Sequence, residues 1–216
     1  MKKSILSITG LLTILCFQGL GQTLQPDLSQ ATTFRPSNRE FVLSEDGMKG
    51  PSVFVNSNEG PGVIWLENIW LSTGSIEFDV KGKDVLQRSF VGLAFHGQND
   101  STYEAVYFRP FNFNSQEEIR RSHSVQYIFM PEYEWYTLRE NYPGKYENPL
   151  PHPVNPNDWF HVRITISEEQ IQVYVNDWAS EVLEVKPINP DSNGKLGFWV
   201  GNGSDGTFAN LLIQTD

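Results

Sequence analysis

Residues 159–177 read WFHVRITISEEQIQVYVND. Val162, Ile164 and Ile166 alternate with His161, Arg163 and Thr165, and a period of two places the first three on one face of an extended strand. Ser167, Glu168 and Glu169 break the run, after which Ile171, Val173 and Val175 resume the alternation. The stretch is therefore expected to be a β-hairpin with one buried face. It contains no catalytic combination of side chains, so it reads as scaffold and any chemistry lies elsewhere.

On either side of the hairpin the same pattern recurs: short alternating or apolar runs separated by Gly, Pro, Asn and Asp. Strands are expected near 41–43, 52–56, 62–65, 74–80, 90–96, 103–111, 124–129, 160–167, 170–175, 194–200 and 207–214. This is the signature of an antiparallel sandwich or barrel. No stretch of ten or more residues keeps a helical period, and Asn114 to Ser122 offers one short turn at most.

The chain opens Met1-Lys2-Lys3 and continues SILSITGLLTILCFQGLG over residues 4–21. A cationic start, a short apolar core and small residues at Gly19-Leu20-Gly21 make residues 1–21 a signal peptide, cleaved to leave Gln22. The protein is then secreted or periplasmic. The one cysteine, Cys16, falls inside this leader. Leu15 precedes it where lipid attachment wants a small residue, and its removal leaves a chain with no thiol or disulfide. Residues 22–40 are polar and turn-rich, a linker or lead-in with a late edge strand, and residues 41–216 form one domain large enough to bury a core without disulfides.

The sequence holds 26 acidic and 16 basic residues, a formal net charge of -10. Phosphate backbones require clustered Lys and Arg, so this balance argues against nucleic acid. It says nothing against neutral ligands such as sugars. No second apolar span follows the leader, so no transmembrane segment is expected after its removal. Oligomeric state is not legible.

WFHVRITISEEQIQVYVND followed by GKLGFWVGNGSDGTFANLLI resembles the final third of concanavalin A-like or laminin G-like domains. Trp159, Asn176, Gly194 to Gly197, and Phe208, Asn210, Leu211 and Ile213 carry the likeness, and Gly74 to Gly82 extends it. The resemblance implies an all-β, two-sheet antiparallel jelly-roll sandwich. Tyr107-Phe108-Arg109 and Val125 to Tyr127 further resemble the secreted bacterial 3-keto-disaccharide hydrolase type, which implies a sugar-facing concave sheet. That fold serves lectins, glycoside hydrolases and adhesive modules alike.

Glu77-Phe78-Asp79 looks like part of the carboxylate strand of retaining glucanases, where two carboxylates stand about 5 Å apart. Lys81 and Gly82 occupy the place of the third carboxylate, so that mechanism is rejected and both acids are read as solvent-facing. The central block is a better candidate. On 101–113, Glu104, Val106 and Phe108 share one face, and Tyr103, Ala105, Tyr107 and Arg109 the other. On 90–97, Gly92, Ala94 and His96 lie opposite the apolar Val91, Leu93 and Phe95. Small residues beside His96, Tyr107 and Arg109 leave room for a ligand on a floor that Gln126 extends. Aromatic faces with amide and guanidinium groups are what sugar hydroxyls and rings require. The aromatic-rich segment 131–153 is expected to wall the cleft, with Trp135 or Tyr136 at its lip.

Two catalytic candidates are His96 and Glu104, either as base near Arg109, although alternation turns Glu104 away from Arg109. Oxygen-rich turns at His96, Asn99 and Asp100 and at residues 201–206 leave structural calcium open as a cofactor. The four histidines show no zinc spacing. The sequence thus supports three readings: a carbohydrate-binding module using Tyr107, Arg109, Gln126, Trp135 and Tyr136; a glycoside-cleaving enzyme of the keto-sugar type; or an adhesive domain.

Overall fold

A computed structural model describes residues 21–216, so the expected leader lies outside the described residues apart from Gly21. Fifteen strands follow in order: β1 (Thr23–Leu24), β2 (Phe34–Ser37), β3 (Phe41–Asp46), β4 (Gly50–Val55), β5 (Gly62–Leu71), β6 (Gly74–Lys81), β7 (Val91–Gly97), β8 (Tyr103–Phe108), β9 (Val125–Met130), β10 (Glu147–Asn148), β11 (Trp159–Ile166), β12 (Ile171–Val175), β13 (Leu183–Val185), β14 (Gly194–Val200) and β15 (Gly206–Thr215). Two short helices, α1 (Glu118–Arg121) and α2 (Trp135–Asn141), flank β9.

All the strand pairings are antiparallel. One sheet of eight runs β13-β12-β11-β6-β15-β4-β3, with β1 beside the far end of β15. The other, of seven, runs β10-β9-β8-β7-β14-β5-β2. The expected two-sheet sandwich is borne out.

The opening hairpin is β11 and β12, paired from Val162↔Val175 to Ile166↔Ile171. All six of its alternating aliphatics are buried. Each contributes about 1.5–3 kcal/mol by leaving water. The two sheets meet through aromatic rings: Phe198 of β14 stacks on Phe208 of β15 at 4.5 Å, and Phe108 of β8 meets Phe160 of β11 edge-on at 5.2 Å.

Residues 22–40 do more than lead in. Leu28 and Phe34 are buried and β1 pairs with β15, while β2 forms an edge of the seven-stranded sheet, where a late edge strand was expected. Strands β1, β10 and β13 have two or three residues, too few for alternation to register. Helix α2 was not expected either. It has seven residues and buries only Leu138, so it has no apolar stripe to read.

The outer face of the eight-stranded sheet corrects one reading. Asp79 is buried, where it was expected to face solvent. Neighbouring strands supply the reason: Asn210 of β15, His161 of β11 and Lys49 all reach its carboxylate, at 2.6, 2.9 and 2.9 Å. Among the described residues no helix is long and apolar enough to cross a membrane.

Candidate functional site

The outer face of the seven-stranded sheet carries the candidate site. Cross-strand register places Trp199 of β14 opposite Gly92 of β7, and Gly92 opposite Tyr107 of β8. A Cβ on Gly92 would fall 2.1 Å from the Val106 carbonyl oxygen and 2.5 Å from Tyr107 Cα. With no side chain between them, the Tyr107 and Trp199 rings meet at 4.7 Å, tilted by 33°. Trp199 Nε1 donates to Tyr103 Oη at 3.1 Å, continuing the aromatic floor.

Arg109 follows β8 directly. Its guanidinium lies over the Tyr107 ring at 4.9 Å and donates to Tyr107 Oη, the His123 carbonyl and Gln126 Oε1 at 2.7, 2.9 and 3.3 Å. Burial lowers its affinity for the proton. Arginine nevertheless stays charged in a folded protein. Gln126 in turn donates to the carbonyls of Tyr127 and Tyr146, which fixes the amide that faces Arg109.

Helix α2 supplies the wall. Trp135 and Arg139 stand one turn apart, and the Arg139 guanidinium lies over the Trp135 indole at 4.9 Å. Arg139 Nε and Nη2 bind Glu147 Oε1 and Oε2 at 2.8 and 2.6 Å. His123 Nδ1 lies 2.8 Å from Glu147 Oε2, and Arg109 Nη1 lies 4.0 Å away. Burial pushes the His123 imidazole below its ordinary value, outweighing the nearby Glu147 carboxylate. One buried carboxylate thus orients the basic wall of the site.

Together these groups enclose a cleft of about 920 Å³, with Arg88 and Asn202 on the opposite rim and Ile128 and Met130 on the floor. Of the expected binding residues, Tyr107, Arg109 and Trp135 line it. Gln126 is buried beneath, holding Arg109. Tyr136 is 53 % exposed, does not line the cleft, and meets Trp135 edge-on from outside.

His96 and Glu104 are not part of the cleft. Both are buried: His96 Nδ1 lies 2.6 Å from Glu104 Oε2, and Nε2 lies 2.8 Å from the Ser72 carbonyl. Tyr127 Oη donates to Glu104 Oε1 and accepts from Ile188 N–H, closing the network. His96 was expected on the outer floor. The register between β7 and β14 slips opposite Leu196, where His96 takes a φ of 49°. Such a bulge puts two successive side chains on the same side of the sheet. His96 therefore follows Phe95 inward instead of alternating away from it.

The cleft also contains residues the sequence reading missed: Phe90, His123 and Trp199, with Glu147 behind. Trp199 had a local signal, since it alternates with the core residue Phe198. His123 and Glu147 had none, because they meet only when β9 pairs with β10. The oxygens considered for calcium are engaged by protein donors. Asn99 Oδ1 accepts from the Ser101 and Thr102 amides, Asp100 from Arg35 and Trp65, and Asn202 Oδ1 from the Gly60 amide. Among the described residues no group of three or more His, Cys, Asp or Glu is placed to hold a metal ion.

No protein-family model and no curated protein sequence matches the chain. Solved structures do. The carbohydrate binding module CBM66 from Bacillus subtilis aligns at a TM-score of 0.56 and 16% identity, covering 83% of this chain and 93% of that one. A Bacillus subtilis protein of unknown function with a galectin-like fold aligns at 0.57 and 12%, covering 88% and 94%. The exoplasmic/lumenal domain of VIP36 in its Ca2+/Man3GlcNAc-bound form aligns at 0.57 and 10%, covering 89% and 87%. At these identities the likeness is one of fold: a galectin-like, concanavalin A-like jelly-roll sandwich.

Proposed function

We propose that this protein binds carbohydrate in the cleft over Tyr107 and Trp199, and that it does so outside the cytoplasm after losing residues 1–21. The carrying observation is the composition of the cleft. A half-exposed indole, Trp135, stands at one wall above an aromatic floor, and guanidinium and amide groups surround it. A sugar ring has an apolar face that packs on such rings, and paired hydroxyls that fixed planar donors can hold. Similar structures include a carbohydrate binding module and a lumenal domain with a bound mannose-containing glycan, which supports the reading.

A glycan-array screen of the chain from Gln22, with and without calcium, tests this. Saturable binding that Trp135→Ala weakens supports it. An array with no binder leaves the adhesive reading in its place.

Glycoside cleavage is the second reading, favoured by His123. Burial holds its imidazole below its ordinary value, and the ring sits against Glu147 and lines the cleft beside Arg109. An imidazole so placed takes the C2 proton, alpha to the 3-keto group; Arg109 stabilises the enolate oxygen, whose electron pair returns to expel the C1 alkoxide, and the alkoxide takes up a proton to leave as the alcohol. Turnover of a 3-keto-glycoside that disappears in His123→Ala, with binding retained, supports this reading. No turnover in the wild-type protein rejects it.

A further inference from the structure

We infer that the sugar held in the cleft is anionic, its carboxylate or sulfate seated between Arg109 and Arg88; this rests on the carbohydrate reading above. Arg109 carries the argument. A buried charge is costly unless it is paired. The Arg109 side chain is 6% exposed, yet its hydrogen-bond acceptors, Tyr107 Oη, the His123 carbonyl and Gln126 Oε1, are all neutral. Its nearest salt-bridging carboxylate among the described residues, Glu147, stands 4.0 Å away and is already held at both oxygens by Arg139. A guanidinium has five N–H donors, and these bonds use three. The ring faces of Tyr107 and Phe90 attract the cation but do not neutralise it.

The rest of the cleft points the same way. Arg88 on the opposite rim is exposed and makes no salt bridge with any described residue. Four arginines, Arg88, Arg109, Arg120 and Arg139, line the cleft against two acids, Glu117 and Glu134. Glu117 lies 3.9 Å from Arg120, and Arg120 is also anchored to Asn112 Oδ1 and the Phe111 carbonyl. The chain as a whole carries a net charge of -10, so this concentration of arginine runs against its composition. Such a focused positive site attracts an anion, and the planar fork of a guanidinium matches the paired oxygens of a carboxylate or sulfate.

Titration calorimetry of the purified protein decides the matter with three probes: tetragalacturonate, its methyl ester, and a kappa-carrageenan-derived tetrasaccharide, which carries sulfate and no carboxylate. Esterification removes the charge and keeps the sugar. At least one anionic probe is expected to bind tenfold or more tighter than the ester, and 0.5 M salt shrinks that preference. Arg88→Gln should narrow the gap threefold or more, whereas Arg163→Gln on the opposite sheet should not. The tighter of the two anionic probes tells carboxylate from sulfate. Binding in which neither anionic probe is tighter than the ester overturns the inference. So does Trp135-dependent binding of neutral glycans alone, which leaves the carbohydrate reading standing; absence of all sugar binding removes both.

Discussion

His96 and Glu104 form a pair closed inside the sandwich, Nδ1 to Oε2 at 2.6 Å, although they sit on neighbouring strands whose plain alternation would put them on opposite faces. The slip opposite Leu196 and the left-handed backbone of His96 bring them together. Their place gives them a structural role: they satisfy the Ser72 carbonyl, and through Tyr127 the Ile188 amide, in an otherwise apolar layer.

Glu104→Ala is accordingly expected to destabilise the protein by about 3–5 kcal/mol, since it strands His96 and Tyr127 without their buried partner. Chemical denaturation measures the loss. Ligand affinity of the folded fraction should be unchanged, and a selective loss of affinity at wild-type stability would place Glu104 in the site instead.

Trp135→Ala should behave in the opposite way. The indole is 44 % exposed, so stability should change by less than about 1 kcal/mol, as for most surface substitutions. Losing the stacking wall should weaken sugar binding about tenfold, or about 1.4 kcal/mol. Parallel calorimetry and thermal denaturation separate the two effects.

Gly92→Ala tests the floor. The new methyl carbon would press on the Val106 carbonyl and Tyr107 Cα, both backbone, so β7 and β8 must separate. A cost of about 1–3 kcal/mol is expected, the range for overpacking. Near-ultraviolet circular dichroism should report the disturbed Tyr107–Trp199 pair; an unchanged spectrum and stability would show that the strands absorb the methyl group.

The Asp79–His161 pair on the opposite sheet sets a pH dependence. Burial raises the Asp79 carboxyl, but hydrogen bonds from His161, Asn210 and Lys49 outweigh it and bring the value down to about 2. Relative to an ordinary 3.8, that depression is worth about 2 kcal/mol, present above pH 3.8 and lost as the pH falls through about 2. The hydrogen bond to Asp79 raises His161 above its ordinary 6.5. Its contribution is complete below pH 6.5 and lost as the pH rises through the elevated folded value. The stability difference between wild type and His161→Gln should therefore be largest near pH 5 and shrink by pH 8. Denaturation curves across that range check the sign, and a difference that grows with pH contradicts it.

The strands of the sandwich were readable one at a time because alternation is a local property: Val162, Ile164 and Ile166 face the core whatever their neighbours do. The same rule put Tyr107 and Arg109 on one face of the segment 101–113 without any knowledge of the other sheet. Which residues meet across distant strands is set by no such rule. Trp199 joins Tyr107 because β14 lies beside β7, and Glu147 reaches Arg139 and His123 because β10 closes the edge of β9. His96 was misread for a related reason, since a bulge changes the face of a residue through the register of its partner strand. Asp79 was misread because its burial is made by side chains from β15, β11 and the turn at Lys49. Period-two patterning is written in each segment, whereas a cleft, a bulge and a buried charge arise only where separate segments meet.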